Sequence, residues 1–344
     1  MIIFIKILLI ISFCLAFDKS EKQLFKVSNV SGKSTEILFN SPEIEISKDS
    51  EGFSKFNTND IIGITVEQGF PEFPIYSSMF QMSPEIEYEI EYEVISSHFI
   101  ENVDFKSSNN NENLFYPIDN ISLSSPMIMR NLVLGQISFI PYKYFFEDKK
   151  LEVYDAVQIT VTESDEQLDF DYFIPEKKSY IFEELYENFV INYTSSDRSE
   201  DYQNPSILYI CGGNSINNAY FQDLVDWRHK QGYVVTVVST SETGSSESNI
   251  NNYISNAYTN WQNPPEIVGL VGDVGGSYNI DCDNYTWGGY SGASDVRYTY
   301  IEGNDLLPEV VIGRISANGT SELYNIINKT LEIKSNRTYL WENR

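Results

Sequence analysis

Ile267-Val268-Gly269-Leu270-Val271 is a short apolar run that stops on Gly272-Asp273, and Pro308-Glu309-Val310-Val311-Ile312-Gly313-Arg314-Ile315 is a second, running into a helical segment. A buried strand ending in Gly-Asp, a loop, and a second buried strand ending in Gly-Arg are expected at the carboxyl edge of a parallel sheet, where α/β proteins place their sites. Upstream, Ile207 to Cys211 and Tyr233 to Val238 read as two more strands. Asn218 to Gln231, with Phe221, Leu224, Val225 and Arg228 at helical spacing, is closed by Gly232. Glu247 to Trp261 and Ser321 to Ser335 complete a strand–helix alternation that predicts right-handed crossovers and helices on both faces of the sheet.

Ahead of Pro205 the pattern is different. Between Pro42 and residue 174 the runs are short and alternate with period two, most clearly from Glu85 to Val94. Such runs are half-buried antiparallel strands, and the acidic stripe at Glu85, Glu87, Glu89, Glu91 and Glu93 reads as a solvated strand face. Lys150 to Val161 reads as one arm of a hairpin turning at Glu147-Asp148-Lys149. The expected class is α+β: an antiparallel β-sandwich at residues 42–174, a linker at 175–204, and a mainly parallel α/β domain at 205–344. Residues 17–41 show no sustained period and are expected to be a flexible leader. Met1 to Ala16, with Lys6 before the apolar run Ile7 to Phe13 and small Ala16 at its end, reads as a signal peptide, which implies secretion.

The chain has 344 residues, 42% of them hydrophobic and 14% aromatic, which suffices for two cores. Its net charge of −27 repels nucleic acid and anionic membrane surfaces, so neither is an expected partner. No run after residue 16 is long enough for a membrane helix. Of three cysteines, Cys211 and Cys282 lie beyond the signal, and an exported protein could join them. The glycine turns Cys211-Gly212-Gly213-Asn214 and Gly272-Asp273-Val274-Gly275-Gly276 fit neither dinucleotide nor P-loop spacing, so tight strand-to-loop turns explain them better. Asp281-Cys282-Asp283-Asn284 has calcium-ligand residue types without the EF-hand spacing. No zinc motif is present.

Only His98 and His229 can serve as imidazole bases. A Cys–His dyad needs hydrogen-bond reach. Cys211 ends a strand and His229 ends the helix after it, so a parallel crossover places them at opposite ends of the sheet; a pairing of Cys282 with His229 stays open, against the plainer reading of His229 as a surface helix residue.

The segments Leu224 to Val235, Val268 to Asp273, Ser294-Asp295-Val296-Arg297-Tyr298, Gly303-Asn304-Asp305 and Pro308 to Ile315 together resemble, in words and in order, the gingipain-type cysteine peptidases. Gly69-Phe70-Pro71-Glu72-Phe73-Pro74-Ile75-Tyr76 and the stretch from Gly135 through Pro141 and Tyr144 to Tyr154 resemble the propeptide of that family. The resemblance implies a caspase-like fold, secretion as an inhibited zymogen, protein or peptide substrates, and contact between propeptide and catalytic domain. It also implies thiolate attack on a peptide carbonyl with no cofactor required, calcium being the metal left open. In that family the catalytic histidine sits in a Gly-His-Gly setting and the cysteine follows the next strand, both downstream of the segment matching Glu332 to Arg344. No catalytic or cofactor-binding residue is therefore carried over, and the expected chain is an N-terminal portion, inactive alone. Asp273, Ser294, Asp295 and Asp305 match family motif positions and are expected to shape loops or bind an ion at the sheet edge. The alternative from another class is a secreted, non-catalytic binding or inhibitory module.

Overall fold

The computed structural model describes residues 24–57, 63–108, 114–195, 198–287 and 290–341. The expected signal peptide lies outside them, as do residues 17–23 of the expected leader. Two units form. The first holds the described residues up to Met127, with Val133–Asp171 and Glu184–Ser195; the second holds Ile128–Leu132, Tyr172–Glu183 and the described residues from Arg198 onward.

Up to Gln167 the described residues form the strands β1 Phe25–Ser31, β2 Ser34–Asn40, β3 Ile46–Lys48, β4 Ser54–Phe56, β5 Gly63–Ile64, β6 Pro74–Met82, β7 Ile86–Ile100, β8 Phe115–Tyr116, β9 Ile121–Leu123, β10 Met127–Met129, β11 Leu132–Phe139, β12 Tyr142–Phe145 and β13 Lys150–Gln167; of these, β10 lies almost wholly in the second unit's Ile128–Leu132 segment. One antiparallel sheet has the order β1-β2-β13-β12-β8, with β7 also on β13; a second has the order β10-β11-β6-β5, with β9 also on β11. The period-two signal sets the faces. Along β13, Leu151, Val153, Val157, Ile159 and Val161 are at most 2% exposed. Each such side chain contributes about 1.5–3 kcal/mol relative to exposure. On β7 the glutamates Glu87, Glu89, Glu91 and Glu93 are exposed while Ile86, Tyr88, Ile90 and Tyr92 are half-buried. The high aromatic content is used in the core, where Phe56 stacks on Phe105 at 5.3 Å and meets Phe73 edge-on at 5.4 Å.

Two expectations need correction. Residues 25–40 are not a flexible leader: they form the β1–β2 hairpin, and Phe25, Ile37 and Phe39 are buried. The polar residues between them hid a period of two because a bulge between Val27 and Asn29 shifts its phase. Residues 175–204 are not a plain linker either. They contain helix α1, Tyr180–Phe189, with Phe182, Tyr186 and Val190 fully buried at i, i+4 and i+8. The surrounding glutamates masked that stripe.

The second unit carries a four-stranded parallel sheet. Its strands are β14 Ser206–Cys211, β15 Val234–Ser239, β16 Ile267–Val271 and β19 Val311–Ile315, in the order β15-β14-β16-β19. Between the last two lie β17 Asp283–Trp287 and β18 Tyr290–Ser294, an antiparallel pair. The helices are α2 Ala219–Lys230, α3 Thr240–Thr243, α4 Glu247–Asn260 and α5 Thr320–Trp341. Asn218 caps α2 by accepting from Tyr220 and Phe221 amides, and Ser246 caps α4. Arg228, His229 and Lys230 in the last turn of α2 suit its negative end.

Leu208, Ile210, Val268 and Leu270 pack with Ile250, Ile254 and Tyr258 of α4 on one face. Ile207, Tyr209, Cys211 and Val271 pack with Phe221 and Leu224 of α2 and Leu323 and Ile327 of α5 on the other. A continuous apolar strand is thus buried twice.

Candidate functional site

In a sheet of this order the crossover direction reverses between β14 and β16, and the crevice beyond their carboxyl ends is where such folds bind ligands. Here β14 runs out at Cys211-Gly212-Gly213 and β16 at Gly272-Asp273. The segment Ser277-Tyr278-Asn279 crosses both ends so closely that a Cβ on Gly212 or Gly272 would collide with the Tyr278 carbonyl oxygen. Those glycines are therefore close-approach residues, as the strand-to-loop reading expects. The Gly212 amide donates to Val271 O at 2.9 Å and the Gly272 amide to Ile315 O at 3.0 Å, which extends the sheet pairing past the strands.

Arg314, at the end of β19, organises this edge. Its guanidinium meets Asp295 through two bonds, Nε to Oδ2 at 2.8 Å and Nη2 to Oδ1 at 2.6 Å. Its remaining donors reach the carbonyls of Ile280 at 3.0 Å, Asp281 at 3.2 Å and Gly272 at 3.3 Å. The Tyr298 hydroxyl adds a bond to Asp281 O at 2.7 Å. One planar fork thus ties a strand, the Gly-Asp turn and the following loop. Asp273 faces the same edge: its carboxylate accepts from the Val274 amide at 2.9 Å and from Asn318 Nδ2 at 3.3 Å. A hydrogen bond from Ser316, then that amide, hold its carboxyl below the usual carboxylate range. Ser294 accepts from the Val296 amide at 3.3 Å and shapes the turn that presents Asp295.

Asp305 lies elsewhere. It is half-buried, just before β19, and accepts from the Ile128 and Leu307 amides at 2.8 Å each. Of the four acidic and hydroxyl positions singled out in sequence, Asp273, Ser294 and Asp295 gather at the carboxyl edge, and Asp305 belongs to the amino edge. Glu309 is the more perturbed group there: burial pushes its carboxyl up to about 8 against the pull of the Ile301 and Glu302 amides it accepts from.

The thiols and imidazoles do not assemble. Burial pushes the Cys211 thiol up to about 12, so it stays protonated at neutral pH. Cys282 is half-buried, His229 is exposed on α2, and His98 Nδ1 lies 2.8 Å from Asp155 Oδ1 in the first unit. Since β14 and β15 pair Ser206 with Val234, the end of α2 that bears His229 lies at the amino end of β14, away from Cys211. Among the described residues no hydrogen bond joins a cysteine to a histidine, and no cluster of three or more His, Cys, Asp or Glu side chains is arranged to hold a metal. Asp283 is instead paired with Arg297 at 3.0 Å.

Sequence reasoning missed two arginines. Arg314 was visible only as the end of a motif, its partner Asp295 being unpredictable from spacing. Arg130 is fully buried, and the signal was there: a lone cation inside the apolar run Met127 to Leu134.

Residues 200–344 match the family described as Peptidase family C25, and residues 105–200 match the family described as Propeptide_C25. Gingipain R1 of Porphyromonas gingivalis is 27% identical over 298 residues, which is 79% of this chain and 29% of that protein. Gingipain R2 of the same species is 26% identical over 79% of this chain and 39% of its own length, and Lys-gingipain 23% over 59% and 12%. The chain thus spans well under half the length of these relatives. Among solved structures, the complex of P. gingivalis RgpB pro- and mature domains has a TM-score of 0.40 at 22% identity, covering 49% of this chain and 96% of that one. The Arg-specific cysteine proteinase gingipain R has 0.32 at 26%, covering 40% and 30%. By its two matched regions, a propeptide region followed by a peptidase region, this chain belongs to the gingipain-type cysteine peptidase family.

Proposed function

We propose that the chain forms the propeptide and part of the catalytic domain of a secreted cysteine endopeptidase precursor, with protein or peptide chains as substrates. The observation that carries this reading is that residues 200–344, which match the peptidase family, fold as a doubly wound parallel sheet whose carboxyl edge is built by Gly212, Gly272 and the Arg314 clamp. In this reading the two antiparallel sheets of the first unit are a β-sandwich propeptide and the parallel sheet is caspase-like. The reaction is attack of a cysteine thiolate on a peptide carbonyl, with a histidine as base and backbone N–H groups holding the oxyanion. The contribution of these residues is positional. Arg314 and Asp295 fix the loop that follows β16, and the buried, protonated Cys211 is a core residue, not the nucleophile.

The test compares two products, one made from the encoding DNA read past the codon for Arg344 and one ending at Arg344. Hydrolysis of a peptide amide, abolished by iodoacetamide, is expected from the longer product after removal of its propeptide and not from the shorter. Hydrolysis by the 344-residue product that disappears in Cys282→Ser would overturn the assignment of roles.

A further inference from the structure

Most outer strands of this chain are guarded against adding another strand. β1 carries Lys26 and a bulge, β7 carries Glu87, Glu89, Glu91 and Glu93 and shifts its register on β13, and β19 carries Arg314. Charges and bulges of this kind keep open sheet edges apart. β15 has neither. It reads Val-Val-Thr-Val-Val-Ser from Val234 to Ser239, without charge or proline, and its register on β14 is unbroken along that whole length. No described strand pairs with its outer side. Val234 is 46% exposed, and Val235, Thr236, Val237 and Ser239 are half-buried.

The ladder fixes which groups are free. The Val234 amide donates to Pro205 O at 2.8 Å, so Val234, Thr236 and Val238 turn their main-chain groups toward β14. Val235 and Val237 turn theirs outward, and Ser239 its N–H. The border beside them is apolar: the Val235 and Val237 side chains lie at the rim of the core that α2 covers, and Val234 stands on the opposite face. The two ends of the strand differ in charge. Arg228, His229 and Lys230 close the helix before it, and Glu242 lies in α3 just after it. Lys230 and Glu242 are exposed, and neither forms an ion pair among the described residues.

We propose that β15 is a dimer edge, at which a second copy of this chain adds its own β15 antiparallel and continues the sheet across a two-fold axis. The charges at the strand ends select that occupant and that direction. Antiparallel pairing sets the basic end of each copy against the acidic end of the other, whereas a parallel copy would set like ends together. With Thr236 of both copies meeting on the axis, Val235 and the second copy's Val237 exchange both main-chain bonds. Lys230 and Glu242 lie equally far along the chain from Thr236, so each reaches the end of the pair where the second copy brings the other. The net charge of −27 repels two copies at long range, and the pair is held by these local contacts. The pairing is independent of the peptidase reading.

The experiment is sedimentation velocity of the 344-residue chain over a concentration series, where a reversible dimer is expected. Val237→Pro removes an outward N–H and no bond to β14, and is expected to raise the dissociation constant about tenfold or more. Urea unfolding followed by tryptophan fluorescence confirms that this variant folds. Lys230→Glu and Glu242→Lys, both at exposed sites, are each expected to raise the constant about threefold, and the double variant to return it to within about twofold of wild type, which covers a proline variant that does not fold. A chain that stays monomeric up to about 100 µM overturns the proposal, as do open-ended oligomers in place of a dimer. A dimer unchanged by Val237→Pro, or a double variant no tighter than the single ones, overturns it as well.

Discussion

Replacing Glu309 by Gln tests the buried electrostatics of the second unit with least change of shape. One oxygen of Glu309 accepts from the Ile301 amide at 2.7 Å and the Glu302 amide at 3.2 Å; the other, Oε1, is buried without a hydrogen-bond partner among the described residues. A glutamine keeps the first oxygen and cannot ionise. Burial raises the folded carboxyl from 4.5 to about 8. Between those values the folded chain holds a proton that the unfolded chain has released, so stability is greatest below pH 4.5 and falls as pH rises toward 8. From 4.5 to pH 7, at about 1.36 kcal/mol per pH unit, the loss has a ceiling of about 3.4 kcal/mol. Glu309→Gln removes that slope. It should therefore leave stability nearly unchanged at pH 5 and raise it by on the order of 1–3 kcal/mol at pH 7.5, after allowing for an amide N–H with no partner. All four tryptophans, Trp227, Trp261, Trp287 and Trp341, follow Pro205, so urea unfolding followed by indole fluorescence reports this unit. Parallel pH profiles for wild type and variant would refute the reasoning.

Arg314→Lys keeps the charge and loses both the bidentate pair with Asp295 and most of the carbonyl bonds. It should cost about 2–3 kcal/mol and speed amide exchange in residues 272–282 before any other segment, as seen by hydrogen-exchange mass spectrometry. Gly212→Ala forces the Tyr278 carbonyl to move and should lower stability by more than about 2 kcal/mol. Gly232→Ala, where space is open and only the positive φ of 94° is strained, should cost about 1 kcal/mol; equal urea midpoints for the two would contradict the close-approach argument. In a Cys14→Ser background a thiol reagent should label Cys282 readily and Cys211 only on unfolding; two thiols reacting at similar native rates would disprove the burial of Cys211.

The sheet was legible because apolar runs buried on both faces have little other reading. Ile267–Val271 and Glu247–Asn260 appear where their periodicity puts them, and the glycine turns sit where the strands end. The fourth strand starts at Val311, later than its apolar run suggests, because Glu309 is spent on the loop before it, accepting from Ile301 and Glu302. The β1–β2 hairpin and α1 were hidden by local noise: a bulge that changes phase, and charges crowding a stripe of three residues. Side-chain partners over long separations leave no trace in one sequence. Asp295 and Arg314 are 19 positions apart, and Arg130 and Glu309 are 179.

The two arginines at the ends of one parallel sheet show why such partners matter. A parallel sheet leaves carbonyls unpaired where its strands begin and end, and loops crossing those ends bring more. A guanidinium satisfies several at once without demanding a particular side chain opposite it. Arg314 does this with a carboxylate partner and partial solvent access, its side chain being 12% exposed, so its clamp should soften only modestly with salt. Arg130 does it in full burial, where a cation is costly unless hydrogen-bonded, through carbonyls and the Gln203 amide oxygen, with aromatic faces beside it. The same physics makes each arginine a tie among backbone carbonyls, Arg314 at the carboxyl edge of the sheet and Arg130 at its amino edge.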